Sequence, residues 1–359
     1  MFDEYARQLL ERLPQFAGLD PVACRRALSA AYAQVVELRV RGAVDPAAVE
    51  PGTRRELRRM VDALESVAVF DPLAGIAVPE DMVAASAFAA AEALSLLTAL
   101  PSAGGEVESP DAIQKPVNYC RLEAGLLYLI GGYDINASAS VKLLPAFVPG
   151  PLADLETAAA LNAAYLVSGI QALCSGNVRP PPHGIPSTGY AEPPDLCEDI
   201  LLECRLRCYE QLAQALNAYL EWLRVGGDEL LQRSLDDLTK IRTASRPPAH
   251  PGFTALADLH HLASLLLCAV QRTSTRSVLH RVPVPATEDE GRRAEFRRYL
   301  VARVTGTHGW LGRPFLWPSA QDFVRQCLPG PRADAVIAMP TGSGKSFVAE
   351  LAIADALTG

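Results

Sequence analysis

One stretch near the C-terminal end constrains this chain more than any other. Ala335-Val336-Ile337-Ala338 is a short apolar run of the kind a buried strand uses. Met339-Pro340-Thr341-Gly342-Ser343-Gly344-Lys345-Ser346 follows at once, and residues 345–357 then take up helical spacing. Small residues in such a loop let successive backbone N–H groups point inward and cradle phosphate oxygens. The free N–H groups and dipole of the following helix add a favourable field. The general pattern is glycine, any four residues, then Gly-Lys-[Ser/Thr]. Gly344, Lys345 and Ser346 match it, and Met339 replaces the leading glycine. On this reading Pro340, Thr341, Gly342, Ser343, Gly344, Lys345 and Ser346 hold a nucleotide. Lys345 meets the β- and γ-phosphates, and Ser346 sets its hydroxyl on Mg²⁺. ATP and Mg²⁺ are the expected cofactors. A Gly-Ser turn with an incidental lysine would leave the strand and helix around it unexplained.

The rest of the chain reads as helices. Alanine and leucine dominate, and both lose little side-chain entropy in a helix. Apolar spacing marks helices at 3–13, from Pro21 to about Val40, and over 53–68, 80–100, 111–130 and 152–175. Asp20-Pro21, Asp45-Pro46 and Asp71-Pro72 are helix-start signals. Residues 179–194 hold six prolines and two glycines, which neither a helix nor a central strand tolerates. A long helix follows from Asp195, with Cys197, Leu201, Cys204, Cys208, Leu212, Leu216, Tyr219 and Leu223 along one stripe. Gly226-Gly227 ends or bends it, helix resumes to Ile241, and 253–272 forms another. Residues 277–284 suggest a short extended piece, and 288–304 and 319–327 are further helices. The expected fold class is mainly α: an all-helical region 1–275, a basic connector 276–309, and 310–359 as the first β–loop–α element of a RecA-like α/β motor domain.

Charge is uneven. The formal net charge is −8, which argues against a generally basic surface. Residues 270–333 nonetheless hold eleven arginines against five acids. Such a stripe suits a phosphate backbone or a solvated, ion-paired helix equally well. The acidic start Met1-Phe2-Asp3-Glu4-Tyr5 lacks the basic and apolar regions of a signal peptide. The apolar run from Met82 to Leu100 carries Glu92 and reads as a buried helix, not a membrane span. A cytoplasmic protein with reduced thiols is expected. The cysteine stripe reads as a core face, because zinc and iron–sulfur ligands sit in tighter pairs. His260 and His261 lie on adjacent helix faces and cannot easily share one ion, and at least one of them suits a core or surface position.

The run from Val336 to Ile353 resembles motif I of superfamily-two DExD/H-box helicases. Its Met-Pro-Thr opening and Ala-Glu-Leu-Ala-Ile continuation are most similar to the superkiller-type and archaeal repair-type branch, where methionine in place of the first glycine is normal. Upstream, Phe315-Leu316-Trp317-Pro318-Ser319-Ala320-Gln321 is similar to the family's adenine-reading stretch. The resemblance implies that Gln321 pairs with the adenine edge and that Trp317 or Phe315 stacks on the ring. Ala320 stands where the family places its glutamine, a displacement of one residue. The family's DExH motif and arginine finger lie downstream of motif I, and no Asp-Glu-x-His or Asp-Glu-Ala-Asp string occurs here. The expectation is therefore the N-terminal part of an ATP-dependent DNA or RNA helicase, with no appreciable ATP hydrolysis by this polypeptide alone. The alternatives are a helical protein-interaction or regulatory module with a vestigial loop, and a different P-loop NTPase.

Overall fold

The computed structural model describes residues 21–44, 52–69, 79–100, 111–150, 154–181, 184–186, 197–246, 256–285, 287–306, 312–328, 338 and 345–358. Thirteen helices occupy most of them: α1 Pro21–Val44, α2 Thr53–Ala68, α3 Glu80–Ala99, α4 Pro116–Gly131, α5 Asp134–Val141, α6 Leu155–Cys174, α7 Cys197–Val225, α8 Asp228–Ala244, α9 Ala257–Ser274, α10 Val278–Arg281, α11 Glu290–Thr305, α12 Pro318–Cys327 and α13 Lys345–Thr358. The mainly α expectation holds, and no strand is present among the described residues. The expected helix 3–13 and the expected strand at 335–338 lie outside them, except that Ala338 is exposed and belongs to neither helix nor strand.

Neighbours in sequence are neighbours in space. α2, α3 and α4 pack in succession, as do α6, α7 and α8. α9 closes the assembly by packing on α8, α7 and α4 together. One large core results, with Tyr165, Tyr209, Tyr219 and Phe296 fully buried, and Ala158, Ala159 and Leu206 form a small second cluster between α6 and α7. Each such aromatic removes enough apolar surface from water to contribute on the order of 2 kcal/mol. α3 and α6 are long and apolar enough to cross a bilayer, but 67% of each qualifying window is buried against other helices. The Glu92 carboxylate in α3 is neutralised by Arg39 at 2.6 Å and accepts a bond from the Tyr128 hydroxyl at 2.6 Å.

The boundaries have local causes. Asp154 caps α6 by accepting from the Thr157 N–H at 2.7 Å, a contact worth about 1 kcal/mol. Asp289 caps α11 in the same way. α4 starts at Pro116, later than the apolar spacing predicts, because the Asp111 carboxylate holds the Ile113 and Gln114 N–H groups in a preceding turn. Gly226 and Gly227 have φ of 85° and 98°, so the chain leaves α7 through two left-handed residues and begins α8 as a separate helix.

The expected extended piece at 277–284 is mostly a helical turn. Ser277 makes one antiparallel bridge to Phe315, with Val278 N–H bonded to Pro314 O and Leu316 N–H to Arg276 O. Pro283, Pro285 and Pro314 have no N–H with which to lengthen the ladder. The cysteine stripe of α7 is core only in part: Leu212, Leu216, Tyr219 and Leu223 are buried, Cys208 is half-buried and Cys204 is exposed.

Candidate functional site

The helix that follows the expected phosphate loop in sequence is α13, and its first residue is Lys345. Lys345 and Ser346 are both exposed at this helix start, while Phe347, Val348 and Leu351 are buried beneath them. An open helix N-terminus with its first N–H groups free attracts anions. Pro340, Thr341, Gly342, Ser343 and Gly344 lie outside the described residues. α13 packs against α11 and α12. Arg303 of α11 pairs with Glu350 at 2.9 Å and lies 5.2 Å from the Phe347 ring centre.

α12 carries the adenine candidates. Trp317 is its half-buried N-cap residue, and Gln321 sits one turn in. The Gln321 amide donates to Leu316 O at 3.2 Å. Its second N–H and its oxygen are then the groups left for an adenine edge. Phe315 is buried, with the Arg276 guanidinium 5.4 Å from its ring centre, so it serves as packing. Gln321 lines a cleft of ≈ 720 Å³ shared with Arg272, Arg276, Arg281 and Arg325. Three of those arginines are engaged: Arg276 with Asp134 at 3.0 Å, Arg325 with Asp322 at 2.7 Å, and Arg272 with Glu80 at 3.6 Å.

The basic connector resolves into α11. Arg293, Arg297 and Arg298 are exposed on it and make no ion pair among the described residues, while Arg292 is 3.6 Å from Asp289. Phe296, Leu300 and Val304 form its buried side. The helix therefore turns three unneutralised guanidinium groups to solvent and rests its apolar face on the core.

A second constellation lies inside the helical region, where sequence reading assigned no chemistry. Glu65 of α2, Glu123 of α4 and His261 of α9 converge, and one donor atom from each lies within 4.8 Å of the others. His261 Nε2 bonds Glu65. His261 Nδ1 meets the Tyr119 hydroxyl at 2.6 Å, and that hydroxyl donates to the Asp258 carbonyl at 3.0 Å. Arg58 reaches Glu123 Oε2 at 2.7 Å and Asp62 at 3.0 Å. Burial pushes the Glu123 carboxyl up to about 7, with Glu65 adding to the rise and Arg58 opposing it. Burial alone would raise Glu65 too, but the His261 charge holds it below the usual range. Burial would likewise depress His261, and the Glu65 carboxylate instead lifts it to about 9. The sequence signal that could have found this site is an acid on an apolar face. Glu123 lies among Leu122, Ala124 and Leu126, and Glu65 among Val61, Leu64 and Ala68, all buried.

His260, the neighbour of His261, is a core residue whose ring bonds Arg242 O at 2.7 Å. The six described cysteines are all free thiols. Comparison of the chain with protein-family models and with curated proteins finds no match in either.

Proposed function

We propose that this chain is the N-terminal part of an ATP-dependent DNA or RNA helicase. In this reading the loop before α13 holds the ATP phosphates, Lys345 neutralises them, Ser346 ligates Mg²⁺, and Gln321 with Trp317 addresses the adenine. The observation that carries it is the start of α13. Lys345 and Ser346 stand exposed at a helix N-terminus directly after the glycine-rich loop, where phosphate chemistry requires them. The three unpaired arginines of α11, the helix against which α13 packs, favour a polyanionic partner over a purely structural role for the connector. The large helical body is proposed to dock or regulate the motor and to present that basic face to a nucleic acid.

The test uses the product of the complete reading frame. Mg²⁺-ATP binding is measured by fluorescence titration, with Lys345→Ala alongside. Loss of affinity in the variant, together with DExH and arginine-finger motifs downstream, supports the reading. Equal ATP affinity in both proteins would sink it. Binding of the polyanion is expected to weaken steeply with added salt, and Arg297→Ala with Arg298→Ala to reduce both affinity and salt slope.

A further inference from the structure

We propose that Glu65, Glu123 and His261 form a binding site for one divalent transition-metal ion of the zinc class. The inference is independent of the nucleotide reading and concerns a different part of the fold.

The donor set is converged and buried. Three helices that are far apart in sequence each place one ligand atom within 4.8 Å of the other two. The side chains of Glu65, Glu123 and His261 are 3%, 0% and 14% exposed. Metal–ligand bonds of about 2.0–2.2 Å place the donors of one tetrahedral ion roughly 3.3 Å apart. The observed spread of up to 4.8 Å is wider than this, and side-chain rotation is the movement the proposal requires to close it.

Two further observations point to an ion. Among the described residues no N–H or hydroxyl donor reaches the buried Glu123 Oε1, whose carboxyl neighbour is Glu65, while Oε2 of the same group is held by Arg58. An orphaned carboxylate oxygen in a protein interior is costly unless something cationic meets it. The histidine is also oriented for ligation. The Asp258 carbonyl can only accept, so it takes the single Tyr119 proton, and the Tyr119 oxygen accepts from Nδ1–H of His261. Nδ1 is thereby fixed as a donor to Tyr119, and Nε2 is the nitrogen turned to the carboxylates, where it donates to Glu65; an ion would take the place of that proton. Metal-bound histidines are held by just such an outer partner. Tyr119 is secured in turn through Asp258, whose carboxylate is clamped by Arg205 at 2.6 and 3.0 Å.

Charge selects the ion class. Two carboxylates neutralise one divalent ion, and the adjoining Arg58 and Asp62 neutralise each other. Mg²⁺ and Ca²⁺ call for six or more oxygen ligands, whereas a nitrogen with two carboxylate oxygens suits Zn²⁺ and its first-row neighbours. Arg58 and Asp62, at 39% and 36% exposure, form the rim through which an ion would enter. Three protein donors leave one coordination position for water or a small anion.

The experiment uses the full chain, treated with a chelator and dialysed. Zn²⁺ is titrated by calorimetry and by thermal unfolding, with Mg²⁺ at the same concentration as control. One Zn²⁺ per chain and a raised Tm are expected, with no response to Mg²⁺. Glu123→Gln and His261→Gln should each weaken Zn²⁺ binding by at least about tenfold, the scale seen when metal-site partners are removed. Cysteine ligation gives a different spectrum, so Co²⁺ bound to the unaltered chain discriminates even if a variant fails to fold. Visible d–d bands without thiolate charge transfer in the near-ultraviolet support the site. A thiolate band, absence of saturable binding, or folded variants that bind Zn²⁺ as tightly as the parent chain would overturn it.

Discussion

Arg303 and Glu350 join the helical body to α13 through a 2.9 Å ion pair. The Arg303 side chain is 6% exposed and Glu350 27%, so water screens the pair from one side only. The same guanidinium covers the Phe347 ring, and the Arg303 carbonyl accepts from the Arg313 N–H at 2.9 Å. One residue thus anchors both the start of α13 and the segment leading to α12. In Arg303→Met the pair is lost and Glu350 stays partly buried without its cation. The expected cost is about 2 kcal/mol, equivalent to a roughly 30-fold rise in local opening. Hydrogen exchange across residues 347–358 should speed up by that order, while α6 and α7 keep their protection. Unchanged exchange in α13 would show that apolar packing alone holds the helix.

A second network ties the turn before α4 to α7. The Tyr209 hydroxyl donates to Asp111 Oδ2 at 2.6 Å and accepts from Arg205 at 2.9 Å. Tyr209 is fully buried. Tyr209→Phe keeps the ring's packing and removes both bonds, including the one to the buried Asp111 carboxylate. Destabilisation of about 1–3 kcal/mol is expected, the range for a buried acceptor deprived of its partner. A urea unfolding curve with its midpoint lowered and its slope unchanged is the corresponding result.

His280 lies flat on Trp222, with ring centroids 4.0 Å apart and planes 13° from parallel. One face is shielded although the ring edge meets solvent. Desolvation therefore holds the imidazole below its ordinary value of about 6.5, Arg281 pushes the same way, and Asp228 only partly opposes them. A depressed histidine binds fewer protons folded than unfolded. Its stabilising contribution is present above pH about 6.5 and is lost as the pH falls below that value. An imidazolium also quenches an adjacent indole. Tryptophan emission should drop on acidification with a midpoint below 6.5, and His280→Gln should abolish that step. The chain has three tryptophans, so Trp222→Phe serves as the assignment control. A pH step that survives either substitution would assign it to Trp310 or Trp317.

The long helices were legible because their apolar residues recur at helical spacing over five or more turns, as in α7 and α9. α5 was not. Its eight residues are mostly small or polar, and it is held by tertiary contacts: buried Ala137 and Val141, the Ser140 bond to Arg121 O, and the Arg276–Asp134 pair. No local propensity announces such a helix. The candidate nucleotide residues were legible because the motif is contiguous. The Glu65–Glu123–His261 cluster is not contiguous, and its members come together only when α2, α4 and α9 pack. Sequence could reveal the oddity of Glu123 in an apolar run, but not the partners that meet it.

Gly312 makes the closest backbone approach in the segment that carries Trp317 and Gln321. A Cβ built there would lie 2.7 Å from Val304 O and 2.8 Å from Gly176 O. Both obstacles are main-chain carbonyls, one at the end of α11 and one just beyond α6, so no side-chain rotation relieves the clash. Gly312→Ala must push residues 312–317 away from the body or distort a helix end, at a cost of about 2–3 kcal/mol. Gly52 provides the contrast: nothing lies within 4 Å of its would-be Cβ, and Gly52→Ala should stay within about 0.5 kcal/mol of the parent. The Gly312 variant should also lose the Arg313–Arg303 backbone bond and with it the seat of α12. On the proposed nucleotide reading, affinity for ATP is then expected to fall along with stability. If urea midpoints for the two alanine variants coincide, the close approach at Gly312 does not constrain the segment, and α12 is positioned by its own apolar face of Ala320, Phe323 and Val324.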